Sequence, residues 1–130
     1  MLRFFDMFGR SSDLTALDAA LRAAGLHPLL IPEPVKLTIL QLRRKHAALT
    51  DKTMADAAQL LAYCVLEQAQ FVAVNGPDAA AHADQRITAA IAGEAAFDEK
   101  LILLALHSGV ISQDMAERFD IANDEPAAGV

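Results

Sequence analysis

Four histidines, one cysteine and a few closely spaced carboxylates are the side chains of this 130-residue chain best suited to chemistry. Asp78 and His82 stand four apart, so a helix would carry both on one face. A carboxylate and an imidazole at that spacing supply two ligands of a zinc or iron site. A catalytic zinc needs a third protein ligand, and the chain has neither an H-E-x-x-H motif nor a paired E-x-x-H. Asp78 has a plainer task, as a carboxylate favouring the positive end of a helix just after Pro77. No metal or other cofactor is expected.

Nucleophilic catalysis finds little more. Cys64 falls on the apolar flank of a long helical pattern, away from any helix N-terminus, where a thiol behaves as a small inert hydrophobe. There is no G-x-S-x-G motif and no phosphate-cradling or dinucleotide-binding glycine loop, since the six glycines are dispersed. Asp98 and Glu99 are adjacent, diverge by about 100° on a helix and cannot flank one bond; they read as the start of a helix. His46 is in line with Val35, Ile39, Leu42 and Leu49 and is expected in the core. His27 and His107 are placed at helix ends, where an imidazole meets free carbonyls. Gln68 lies between Val65 and Val72 in an apolar stripe, where an unsatisfied amide would cost about 1–3 kcal/mol. An interhelical hydrogen bond satisfies it most simply. The one candidate interhelical pocket is therefore His46, Tyr63 and Gln68.

The stretch "LALHSGVISQDMAERFDIA", Leu104–Ala122, places Ala105, Gly109 and Met115 at the offsets of a helix-turn-helix. A DNA-reading helix draws its affinity from Lys and Arg against phosphates. Here the second helix would present Asp114, Glu117 and Asp120 around a lone Arg118. The same offsets serve any two helices joined by a tight glycine turn, so a structural corner is expected and DNA is excluded as a partner.

These residues must be held by helices. Apolar side chains make up 54% of the chain, charged ones 22% and aromatic ones 5%, a globular composition. Twenty-seven alanines favour helices that approach closely. A single cysteine fits a reducing cytoplasm, no stretch approaches the roughly 18 apolar residues of a membrane span, and the charged start is unlike a signal peptide. The net charge of −6 is uneven: residues 1–52 carry +3 and residues 53–130 carry −9. Such asymmetry marks a partner surface or a self-complementary assembly.

Helical periodicity predicts a first helix capped by Ser12 or Asp13 and ended by Gly25, with Leu14, Leu17, Leu21 and Ala24 on its apolar face. A proline-bounded connector leads to a second helix from Pro34 to about Ala48. From Asp51 to Val74 one polar stripe (Lys52, Asp56, Gln59, Tyr63, Glu67, Gln70) crosses an otherwise apolar run, which predicts one central helix packed by others. A fourth helix opens at Pro77 and ends near Gly93. A fifth contains "LILLALHSG", apolar on most sides and expected to be buried. A sixth spans about Gln113 to Phe119. The expectation is an all-α single domain over residues 1–121, a compact bundle of five or six helices around a buried central helix, with a disordered tail at 122–130.

Two segments suggest partners. Residues 1–10 form an apolar arm with Phe4, Phe5 and Phe8, a sticky patch unless it packs on its own core, on another subunit or on a membrane surface. Arg43, Arg44 and Lys45 make the densest positive cluster. They complement the dipole at a helix end, or with Lys36 or Lys52 meet an acidic surface. These observations favour a non-enzymatic cytoplasmic protein that acts through protein contacts, most simply as a homodimer. The alternative is a small-molecule-binding or enzymatic bundle with its site at His46, Tyr63 and Gln68.

Overall fold

A helix buried on every side needs neighbours on every side, and the second part of α3, Asp51–Val65, is such a stretch: Leu60, Leu61, Ala62, Tyr63 and Cys64 are consecutive and all buried. The computed structural model describes the backbone of residues 2–121 and side chains from Ser12 to Ile121. Within that range the chain is all-helical, with no strands. Around α3 stand α1 (Leu2–Ala23), α2 (Glu33–His46), α4 (Gln68–Asn75), α5 (Pro77–Ile91), α6 (Ala96–His107) and α7 (Gln113–Arg118), with a short 3-10 turn at Pro28–Leu30. Thr50 starts α3 by accepting from the Thr53 N–H at 3.2 Å, while the Thr53 hydroxyl oxygen accepts from the Thr50 N–H at 2.8 Å. Two otherwise orphan donors are satisfied reciprocally.

The single helix expected over 51–74 is two. Leu66 and Glu67 are extended, with ψ of 154° and 152°, although neither is glycine or proline. In one helix Tyr63 and Phe71 would be separated by about 12 Å along the axis; their ring centroids are 5.0 Å apart, edge to face. Gln59 Nε2 likewise donates to Asn75 Oδ1 at 3.4 Å across sixteen residues. The chain doubles back because this buries Phe71 fully and frees the Cys64 carbonyl to accept from the Ser112 N–H at 2.7 Å. Burial of a large aromatic and a tertiary hydrogen bond outweigh two helical residues. Gln68, expected within the buried stripe, is consequently exposed in the first turn of α4.

The first helix also departs from expectation. Ser12 and Asp13 do not cap it, because α1 runs without interruption from Leu2; one Gly in a helix interior costs only about 1 kcal/mol. Asp13 instead pairs with Arg44 and Asp18 with the buried Lys36, the latter at 3.0 Å, joining α1 to α2. Leu17 and Leu21 on α1 are fully buried. The side chains of Phe4, Phe5 and Phe8, and the tail at 122–130 expected to be disordered, lie outside the described residues.

Elsewhere the elements fall close to the helical pattern. Pro34 is in the first turn of α2 and Pro77 opens α5. His27 differs in role: its Nδ1 accepts from the Leu29 N–H at 3.1 Å and so begins the 3-10 turn, rather than meeting a carbonyl. Arg86 on α5 makes a two-pronged contact with Asp98 on α6, both distances 2.9 Å, and donates to the Asp56 carbonyl on α3 at 2.9 Å. Three helices meet in that one guanidinium.

Gly25 ends α1 with φ of +92°, and a Cβ there would come within 2.9 Å of Val74 on α4. Gly109, after α6, has φ of +77° but open space around its missing Cβ. Both alanine substitutions should destabilise through the left-handed backbone, by about 1–2 kcal/mol. Gly25→Ala should cost more, because the Val74 side chain must also move. Urea unfolding of the two variants beside the wild type measures the difference; equal losses would deny the Gly25–Val74 contact any part in the fold.

Candidate interaction site

The C-terminal end of α5, the outer face of α6 and the residues after α7 enclose an open groove of about 320 Å³. Ala90 and Ile91 form one wall, Ile102, Leu103 and Leu106 the floor, and Phe119 and Ile121 the other wall, with Glu99 and Asp120 as its acidic groups. The run "LILLALHSG", expected to be buried on most sides, is open on this one: Leu103 is 43% exposed, facing Ile91 of α5, itself 55% exposed. Leu101 and Ala105 take the inward face of α6, and Ile102, also buried, meets the groove at the edge of that face.

The second wall depends on how α7 is held. Ser112 caps α7 by accepting from the Met115 N–H at 3.1 Å, and Met115 is buried in the core. Arg118 donates to the Tyr63 hydroxyl oxygen at 2.6 Å and to both Asp84 carboxylate oxygens at 2.8 and 3.1 Å. Tyr63 in turn donates to Asp84 Oδ1 at 2.9 Å. Burial pushes the Tyr63 hydroxyl above its ordinary pKa of 10.0; Asp84 reinforces the shift, while Arg118 opposes it. Burial works against the Arg118 charge, but Tyr63 and Asp84 more than offset it and hold the guanidinium above its usual value. This triangle fastens α7 to α3 and α5. Beyond it Asp120 takes a left-handed φ of +54°, and the Ile121 N–H reaches back to the Ala116 carbonyl at 2.8 Å. That bond pattern closes a Schellman turn, with Phe119, Asp120 and Ile121 as the groove wall.

The candidate pocket of His46, Tyr63 and Gln68 does not correspond to this groove. Tyr63 is buried in the triangle and Gln68 is exposed on α4. His46, expected in the core, is exposed at the end of α2 with its ring edge against Phe97, centroids 5.6 Å apart. Position 46 lines up with the apolar side of α2, but the helix ends there and leaves the ring at the surface. In the basic cluster, Arg43 lies over the Phe97 ring at 4.2 Å, Arg44 pairs with Asp13 and Lys45 is exposed. Lys36, considered as part of a partner surface, is instead buried against Asp18. Lys52 pairs along its own helix with Asp56 at 3.5 Å.

Asp78 occupies the first turn of α5 and is exposed, as is His82 one turn on. Among the described residues no group of three His, Cys, Asp or Glu side chains could hold a metal, and no helix is long and apolar enough to cross a membrane. Cys64 is fully buried and its thiol is pushed up to about 12, by burial first and by Asp98 to a lesser degree. Ala105 and Met115 are buried and Gly109 turns the chain between them, so the helix-turn-helix offsets form a packed corner. Asp84, Arg86 and Asp98 were not legible as site-forming residues. Residues 53–130 hold only three cations, Arg86, Lys100 and Arg118, among twelve carboxylates, and that scarcity was the available signal for Arg118 and Arg86. Comparison with protein-family models, with curated proteins and with solved structures gives no match.

Two outcomes test this geometry. Arg118→Ala should leave Tyr63 and Asp84 short of a partner, lower stability by about 1–2 kcal/mol and speed hydrogen exchange across residues 113–121 more than in α3. Uniform exchange in variant and wild type would remove the clamp. Cys64 should ignore a disulfide reagent at pH 8 until the protein is unfolded. Its native thiol stays protonated above pH 9.0, where an unfolded thiol ionises, so the unfolded chain then binds fewer protons. Its contribution is complete below pH 9 and is lost between 9 and about 12, with a slope of up to ~1.4 kcal/mol per pH unit. Cys64→Ala should flatten that alkaline decline, measured as urea midpoints against pH.

Proposed function

We propose that this chain acts through protein contacts, that its contact surface is the groove between α5, α6 and the residues after α7, and that it self-associates in a reducing cytoplasm. The observation that carries the reading is an open apolar channel whose large side chains, Ile91 and Leu103, are exposed while their neighbours on the same helices are buried. Contiguous apolar surface of this kind, edged by carboxylates, is characteristic of interaction sites. Leu29 and Leu30, exposed on the 3-10 turn, offer a second apolar pair.

The alternative, a small-molecule or enzymatic site around His46, Tyr63 and Gln68, draws no support from where those residues lie. Tyr63 has both polar neighbours within hydrogen-bond distance, and each of the other two faces water. DNA is an unfavourable partner on electrostatic grounds. The exposed face of α7 presents Asp114 and Glu117, and Arg118 already holds Asp84 and Tyr63, so a phosphate backbone would meet repulsion.

Leu103→Asp should leave the melting transition cooperative, because the side chain is already partly solvated, yet weaken self-association at least tenfold. A central interface residue is worth about 2 kcal/mol or more when lost, and 1.4 kcal/mol is tenfold in affinity. Sedimentation equilibrium across a micromolar range reads this directly. Equal association constants for wild type and variant would remove the groove from the interface.

A further inference from the structure

The first two turns of α1 put their polar residues where the rest of the helix puts its apolar ones. α1 is one helix from Leu2 to Ala23, so its register can be followed at 100° per residue. Positions 4, 5 and 8, all phenylalanine, fall roughly 120–160° around the helix from the midpoint of Leu17 and Leu21, which pack on the core. Positions 3, 6 and 10 (Arg3, Asp6 and Arg10) fall within about 40° of that midpoint. The phenylalanines of α1 therefore lie on the side opposite its buried leucines, while Met7, about 60° from the midpoint, stays nearer the inward side. A helix whose whole length lay on its own core would keep one face apolar throughout. The inverted pattern suits a rod whose last turns belong to one body and whose first turns belong to another.

We infer that the groove receives the N-terminal arm of a second copy of this chain, with Phe4, Phe5 and Phe8 entering between Ile91, Leu103 and Phe119. This rests on the reading of the groove as a protein contact. Charge supports the pairing. The groove's charged groups, Glu99 and Asp120, are both acidic, and Asp114 and Glu117 are exposed nearby on α7. Residues 1–10 carry a net charge of +1, from Arg3 and Arg10 against Asp6 on the face away from the phenylalanines, together with the positive end of the α1 dipole, so the attraction steers the approach at range rather than forming ion pairs inside the groove. Two copies exchanging arms make the same contact twice about a two-fold axis, which closes the assembly at a dimer.

The test uses two full-length variants, Phe4→Ser with Phe8→Ser in the arm and Leu103→Asp in the groove, examined by sedimentation alone and mixed. Each alone should dissociate at least tenfold more readily than the wild type. The mixture should regain association, because one intact arm meets one intact groove. Dissociation of the groove variant with wild-type behaviour of the arm variant would overturn the arm as occupant and leave the groove as a contact. Unchanged association in both variants, or a wild type monomeric throughout, would overturn the arm and self-association through the groove together. Should the arm variant fail to melt cooperatively, a synthetic peptide of residues 1–12 decides. Added in excess, it should split wild-type dimers, and the same peptide with both serines should not; dimers untouched by either peptide would overturn the inference.

Discussion

Leu60, Leu61, Ala62, Tyr63 and Cys64 are consecutive on α3 and all buried. Five residues at 100° apiece sweep past a full turn, so this part of α3 has no side left for water. A helix in that position is stable only if others enclose it. α1, α2, α5 and α6 all pack on it, and Ala57, Ala58 and Ala62 let them approach closely. Most of the molecule follows from that demand. α4 exists because the demand ends at Val65: beyond it the chain gains more by turning Phe71 back onto Tyr63 than by extending into solvent.

Around this apolar centre the polar side chains orient more than they stabilise. Lys36–Asp18 ties α2 to α1, Arg86–Asp98 ties α5 to α6, and Arg118 with Tyr63 and Asp84 ties α7 to α3 and α5. Desolvation of paired charges consumes much of their attraction, so their net contribution is small beside that of the core. What they supply is angle and register. Each joins helices that apolar packing alone would leave free to slide, and the third sets one wall of the groove.

The groove and the arm belong to one pattern. After Lys100 α6 is apolar on most sides, yet the fold covers only its inner face, leaving Leu103 at the surface beside the exposed Ile91 of α5. α1 is amphipathic twice over, with opposite faces in its two parts. The channel is an uncovered apolar surface, and the phenylalanine positions in the first turns of α1 stand off the face that Leu17 and Leu21 bury. Under the exchange inferred above, the arm of each copy would cover the channel of the other.

Much of the helical order was legible in the chain, because it follows from local rules. Apolar residues at helical spacing mark α2, α3, α5 and α6; Pro34 and Pro77 open helices and Gly25, Gly93 and Gly109 close them, through the dihedrals each residue prefers. The burial of Cys64, and of Ala105 and Met115 on either side of the Gly109 turn, was readable in the same way. The break at Leu66–Glu67 was not, since no glycine, proline or capping residue marks it; it comes from Phe71 and from the Ser112 N–H, partners remote in sequence. Ser12 and Asp13 mimic a cap inside a continuous helix because a cap is defined by the backbone before it, and not by residue type. His46, Gln68 and Lys36 were misplaced for a related reason. Periodicity states which residues share a face, but how far a helix extends and what stands opposite are set by packing. The groove is the fullest case: its walls come from three stretches of chain, and Arg118, a single cation among acids, holds one of them through contacts that exist only once α3, α5 and α7 have met.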